Sequence, residues 1–165
     1  MKKETAIIEI HKSVASVIQT NYAHDGEIKV ETHENEGRDK PFFAPQLLIN
    51  NGTKDISFYA KAFGATENLC FNNDDGSIHV AELSIDGAIF HLHEVTKPYF
   101  FSPGKQKGTT TIIGLFVPNV DAVMRSAINA GAKEIIPAKD YEYGYRQGEV
   151  EDPFGHHWLI QKKIR

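Results

Sequence analysis

The hexapeptide Gly87-Ala88-Ile89-Phe90-His91-Leu92 returns 68 residues later as Gly155-His156-His157-Trp158-Leu159-Ile160. In both copies a turn glycine leads into alternating side chains, the pattern of a strand with one buried face. Alternation puts Phe90, Leu92, Trp158 and Ile160 on one face, beneath helices. Ile89, His91, His93, His157 and Leu159 fall on the other, which is where chemistry is to be sought.

The repeat extends outward from these strands. Leu48-Ile49-Asn50, a helical segment and Gly64-Ala65-Thr66-Glu67 line up, at an offset of 67, with Leu115-Phe116-Val117, a second helical segment and Gly131-Ala132-Lys133-Glu134. Ile56, Tyr59, Ala60 and Phe63 form the first helical stripe, and Gly64 stands at its C-terminal cap. Val120, Val123, Met124, Ala127 and Ile128 form the second. Strands are expected at 67–72, 78–85 and 88–95 after the first helix, and at 134–138, 145–150 and 157–162 after the second. The chain is therefore expected to be α+β, with two βαβββ modules at about 44–96 and 110–163.

Residues 1–43 read as an N-terminal extension to a 44–165 domain. Ile7, Ile10, Val14, Val17 and Ile18 have helical spacing, so an amphipathic helix is expected over 4–22, and an edge strand near 27–32. With 165 residues, 41% apolar and 24% charged, the chain supports one full core and is not globally disordered. Its net charge of −4, with no basic stripe, speaks against nucleic acid as a partner. No signal-like or membrane-spanning stretch is seen, so a cytoplasmic protein without membrane contact is expected. Cys70, flanked by Leu69 and Phe71, reads as an inert core thiol on a strand inside the fold rather than a nucleophile. Asn51-Gly52-Thr53 matches a glycosylation sequon but has no secretory context. Serine-hydrolase elbows, Cys-x2-Cys pairs and dinucleotide loops are missing, and Gly104-Lys105-Gln106-Lys107-Gly108-Thr109 fails phosphate-loop spacing.

The duplicated layout, the phrase from Ile56-Ser57-Phe58-Tyr59 through Phe63-Gly64-Ala65, and the closing Asp152-Pro153-Phe154-Gly155-His156-His157-Trp158 together resemble the vicinal oxygen chelate superfamily, the glyoxalase, bleomycin-resistance and extradiol-dioxygenase group. Gly144-Tyr145-Arg146-Gln147-Gly148 is most similar to its PhnB-like bacterial branch. The resemblance covers about 44–163. It implies sheets curled into a bowl with helices on the convex side, a site in the concavity, and a homodimer. Fold alone assigns no chemistry, because the group holds lyases, isomerases, dioxygenases and plain binders.

Metal-dependent members of this group take ligands from the first and last strand of each module. Carried over, those positions fall on Gln46 (or Pro45), His91, Ile112 (or Thr111) and Leu159. Only His91 is a strong donor, so the resemblance implies no complete metal site and no cofactor. A non-standard divalent site built from His91 with His93 or His157 is the alternative. Two function classes follow: a protein that binds a small molecule in the bowl without turnover, or a glyoxalase-like lyase or isomerase with His91 and His157 as catalytic groups. A regulatory role using the extension is a third. Candidate ligand contacts are His93, Gln46, Tyr145 and Arg146, the last either gripping an anionic ligand or pairing with Glu149, Glu151 or Asp152. Tyr141, Tyr143 and Tyr145 alternate along one strand, and Tyr99-Phe100-Phe101 is either a lid or an anchored connector. His93 and Glu94, as strand neighbours, point to opposite faces.

Overall fold

The computed structural model describes residues 41–165 in full and residues 16–22 and 28–34 as backbone. The chain divides after Phe43. In the first part β1 (Ser16–Tyr22) pairs antiparallel with β2 (Ile28–Glu34), Ser16 opposite Glu34 and Tyr22 opposite Ile28. The helix expected over 4–22 is thus replaced by a strand over its last seven residues, and residues 4–15 lie outside the described ones. Helical spacing of Val14, Val17 and Ile18 is compatible with either structure in so short a window. The β-branched residues Val17, Ile18 and Thr20 favour the extended one once a partner rich in the same residue types is available.

In the second part, β3 (Gln46–Ile49), α1 (Phe58–Phe63), β4 (Thr66–Asn72), β5 (Ile78–Ile85) and β6 (Ala88–Glu94) make the first module. A single-turn helix, α2 (Pro103–Gln106), lies in the connector. The second module runs β7 (Ile112–Phe116), α3 (Val120–Asn129), β8 (Lys133–Tyr141), β9 (Tyr145–Glu151) and β10 (His157–Lys163). The sheets have orders β3-β6-β5-β4 and β7-β10-β9-β8, so each is first-last-third-second in its own module. In both, the first strand runs parallel to the last and the other pairs are antiparallel. The fold is α+β with two βαβββ modules. The opening strands begin at Gln46 and Ile112, and pairing with the last strand of each module fixes their register at Gln46 with His91 and Ile112 with His157.

One face of each sheet carries the helix and the core. Phe90 and Trp158 are buried, Leu92 and Ile160 completely so. Gly64 ends α1 in the left-handed region at φ 68°, where its amide donates to the Ala60 carbonyl and the next amide, of Ala65, donates to the Tyr59 carbonyl. The modules share this core. Tyr59 of α1 stacks on Phe154 at 5.8 Å and lies 6.0 Å from Trp158, while Phe63 lies 4.7 Å from Trp158.

Beneath those rings sits the carboxylate of Asp152, 3% exposed. Its Oδ2 accepts from the Tyr59 hydroxyl at 2.9 Å and from Trp158 Nε1 at 3.0 Å; its Oδ1 accepts from the amides of Phe154 and His156, both at 2.9 Å. Buried polar groups are tolerated when so paired. Burial, then the Asp152 charge, pushes the Tyr59 hydroxyl well above its ordinary range. Nearby, His156 Nε2 lies 3.1 Å from the Leu48 carbonyl, a second bond between modules. Gly155, at φ 95°, lies against α2 so closely that a Cβ there would stand 2.3 Å from the Gly104 nitrogen.

Candidate functional site

Sheet faces opposite the helices are open, and alternation decides what they show. In the first module Gln46, Glu82 and His91 lie abreast across β3, β5 and β6, with Val80 beside His93 one step along. His91 Nε2 is 3.1 Å from Glu82 Oε2. Asn68 Nδ2 donates to the other oxygen of Glu82 at 3.1 Å, and the Ser84 hydroxyl donates to Asn68 Oδ1 at 3.2 Å. The result is a chain of four polar side chains ending at an imidazole. His93 lies 5.9 Å from His91, ring to ring, and its Nε2 is buried with no group of the described residues bonded to it. Burial, helped by the imidazoles of His91 and His79, holds His93 below the usual histidine range, so it stays neutral at pH 7. Glu94 points the other way, to His79 Nδ1 at 2.6 Å and Asn73 at 3.1 Å, as strand alternation requires.

In the second module the corresponding carboxylate is Glu149, related to Glu82 by the offset of 67, and each is abreast of position 91 or 159. Position 159 is leucine. The imidazole has moved one pleat earlier, to His157, whose Nδ1 is 2.6 Å from Glu149 Oε1. Further along, the Tyr143 hydroxyl donates to Gln147, and Gln147 Nε2 donates to Gln161 Oε1 at 2.8 Å. Tyr145 lies on this face, its ring 6.4 Å from Phe116 and 6.0 Å from Tyr143, which stacks on Tyr141. A carboxylate that fixes an imidazole in one orientation suits it to bind a polar group or to hold a proton.

Arg146 is not on this surface. Register places it opposite Asp140 and Lys162, on the helix-bearing face. Its guanidinium forks onto Asp121 at 2.9 and 2.6 Å and reaches Asp140 at 2.7 Å. Its role is to tie β9 to the first turn of α3, and its partners are neither a ligand nor the three acids expected from sequence. Cys70 is half-buried rather than a core residue. Its Sγ contacts Asn72 Oδ1 at 3.3 Å, and burial followed by the Glu67 charge pushes the thiol up, away from nucleophilic use. Tyr99, Phe100 and Phe101 are exposed, and the connector is held by Ser102, whose hydroxyl donates to Asn50 Oδ1 at 2.6 Å. Two clefts lie elsewhere. One of about 660 Å³ surrounds Asn73, Asp75 and Glu94; one of about 580 Å³ separates α1 from β4.

The four positions that the sequence resemblance links to a metal do not make a set. Gln46 and His91 are neighbours, but His91 Nε2 faces Glu82; Ile112 and Leu159 offer no donor. His157 and Glu149 sit beside those apolar positions but are engaged with each other. Among the described residues no three His, Cys, Asp or Glu side chains are grouped to hold an ion, so His91, His93 and His157 do not converge as the alternative ligand set. The donors therefore do not fit the ion that metal-dependent members use.

Glu82 and Glu149 are the open-face groups that sequence reading missed. The signal was available in the repeat itself, since Ala81-Glu82-Leu83 and Gly148-Glu149-Val150 are the same small-acidic-apolar triplet at offset 67.

Comparison with known proteins agrees with this architecture. An uncharacterised protein of Mycobacterium bovis is 35% identical over 130 residues, covering 76% of this chain and 86% of that protein. The crystal structure of the Arabidopsis thaliana gene product At5g48480 superposes with a TM-score of 0.57 at 26% identity, over 73% of this chain and 98% of that one. TioX from Micromonospora sp. ML1 gives 0.56 at 24% identity, over 74% and 100%. The fosfomycin resistance protein FosX of Listeria monocytogenes shares the fold alone, at a TM-score of 0.56 and 15% identity over 76% and 94%. With residues 45–160 also matching the sequence profile of that family, the chain belongs to the Glyoxalase/Bleomycin resistance protein/Dioxygenase superfamily.

Proposed function

We propose that this chain binds a small organic molecule on the open sheet faces of residues 44–165, as a homodimer and without the complete metal site of its metal-dependent relatives. The observation that carries the reading is the pair of carboxylate-oriented imidazoles, His91 with Glu82 and His157 with Glu149, beside positions where metal ligands are replaced by Ile112 and Leu159. Such pairs offer directional polar contacts on a surface that is otherwise half-buried and partly apolar, the usual make-up of a ligand site. Gln46, His93 and Tyr145 lie on the same faces and complete the contact set.

The test is a fragment titration of the purified protein, read by imidazole NMR signals, together with elemental analysis. Fragments that shift the His91, His93 or His157 signals in protein with sub-stoichiometric metal are the expected result. A stoichiometric Zn, Ni, Mn or Fe whose removal abolishes binding would replace this reading with the metal-dependent lyase or isomerase, and a library that leaves all three imidazoles unmoved would end it.

A further inference from the structure

The two sheets differ in charge. β8, β9 and β10 carry five basic residues, Lys133, Lys139, Arg146, Lys162 and Lys163, against four acids, Glu134, Asp140, Glu149 and Glu151, whereas β3, β4, β5 and β6 contain no Lys or Arg and do contain Glu67, Glu82 and Glu94. On the open face of the first sheet, among the described residues, Glu82 is met by His91 and Asn68. Beside it His93 is half-buried, its Nε2 without a partner among the described residues. The neighbouring apolar surface includes Phe71, 48% exposed and abreast of Val80. The guanidinium that could have gripped an anion, Arg146, is tied down on the helix face of the other sheet.

We propose that the open face of the first sheet takes an organic ligand through a cationic, hydrogen-bond-donating nitrogen, a protonated amine in the simplest case, and excludes carboxylates, phosphates and phosphonates. This rests on the reading above and names its ligand class. Glu82 supplies the charge and acceptor, and His93, whose ring lies 5.9 Å from that of His91, is the next polar side chain along the face. An anion would meet Glu82 with no fixed cation on the same sheet to offset the repulsion.

A matched probe series tests this: 2-phenylethylamine, 2-phenylethanol and phenylacetate, titrated at pH 7.5 and low ionic strength, read by calorimetry and by the imidazole signals of His91 and His93. The amine is expected to bind at least about fivefold tighter than the alcohol, the factor one unit charge at contact range gives even at the dielectric of water. Phenylacetate is expected to be weakest. Glu82→Gln should remove the advantage of the amine and leave the affinity for the alcohol in place; His93→Phe should weaken both. Phenylacetate binding as tightly as the amine with shifts at His91 and His93 would overturn the charge class while leaving ligand binding on this face intact. An amine that moves neither imidazole would also overturn it, and other fragments from the general library then decide separately whether the face binds anything.

Discussion

Replacing Asp152 by alanine should destabilise residues 44–165 by about 3–5 kcal/mol. The carboxylate accepts four hydrogen bonds. Two come from side chains with no route to water in place, the hydroxyl of Tyr59, at 0% exposure, and the indole N–H of Trp158, at 2%. Each stranded donor costs about 1–3 kcal/mol, and the two main-chain amides add less because the turn can relax toward solvent. At roughly 4 °C per kcal/mol for a domain of this size, the melting temperature should fall by about 12–20 °C. Calorimetry and urea unfolding would measure it. Tyr59→Phe, which deletes one donor and leaves the rings packed, should lose about 1–2 kcal/mol, and much of that loss should vanish when it is made in the Asp152→Ala background. A loss below about 1 kcal/mol for Asp152→Ala, or strict additivity of the two changes, would refute the argument that this carboxylate holds the modules together.

Burial holds His156 below its usual value of 6.5, against the opposing pull of Asp152 and the Leu48 carbonyl. His93 is lowered too, by burial first. The unfolded chain therefore takes up these protons first as the medium is acidified, so stability should be full above about pH 6.5 and decline as pH falls through the lowered folded values; unfolding titrations of His156→Gln and His93→Gln should flatten that decline. Gly155→Ala should cost about 2–4 kcal/mol in urea unfolding, because its Cβ would stand 2.3 Å from the Gly104 nitrogen at a φ of 95°. Arg146→Lys should lower the melting temperature in a salt-sensitive way yet leave every ligand affinity unchanged; weaker ligand binding would return Arg146 to the site. Changing His91 and His157 together to alanine should abolish fragment binding without altering metal content.

What could be read from sequence follows from how local each determinant is. The faces of Phe90, His91, Trp158 and Leu159 depend only on the period-two geometry of a strand, and the repeat locates them twice. The cap at Gly64 is equally local. The face of Arg146 follows from the same alternation, since Tyr145 and Gln147 are its neighbours, but its partners Asp121 and Asp140 come from a helix and a strand that only tertiary packing brings together. The same holds for Asp152, whose turn position hides that its oxygens face a tyrosine 93 residues away. Within the extension, the helix expected over 4–22 gives way to a strand at 16–22 for a different reason. Three or four apolar residues in a short window satisfy both periods, so pairing decides. The glutamates of the open faces sit on strands where the repeat is marked by a single small-acidic-apolar triplet, a weaker signal than the histidine-bearing strands carry.

The displacement of one imidazole by a single pleat, from position 91 in one half to 157 in the other, amounts to about 6–7 Å along the strand. A duplicated backbone thus presents two reagents that no rotation superimposes. A ligand seated against one half cannot make the same contacts in the other, so saturation should resolve into two unequal affinities per polypeptide. Substitutions at His91 and His157 should each erase a different one.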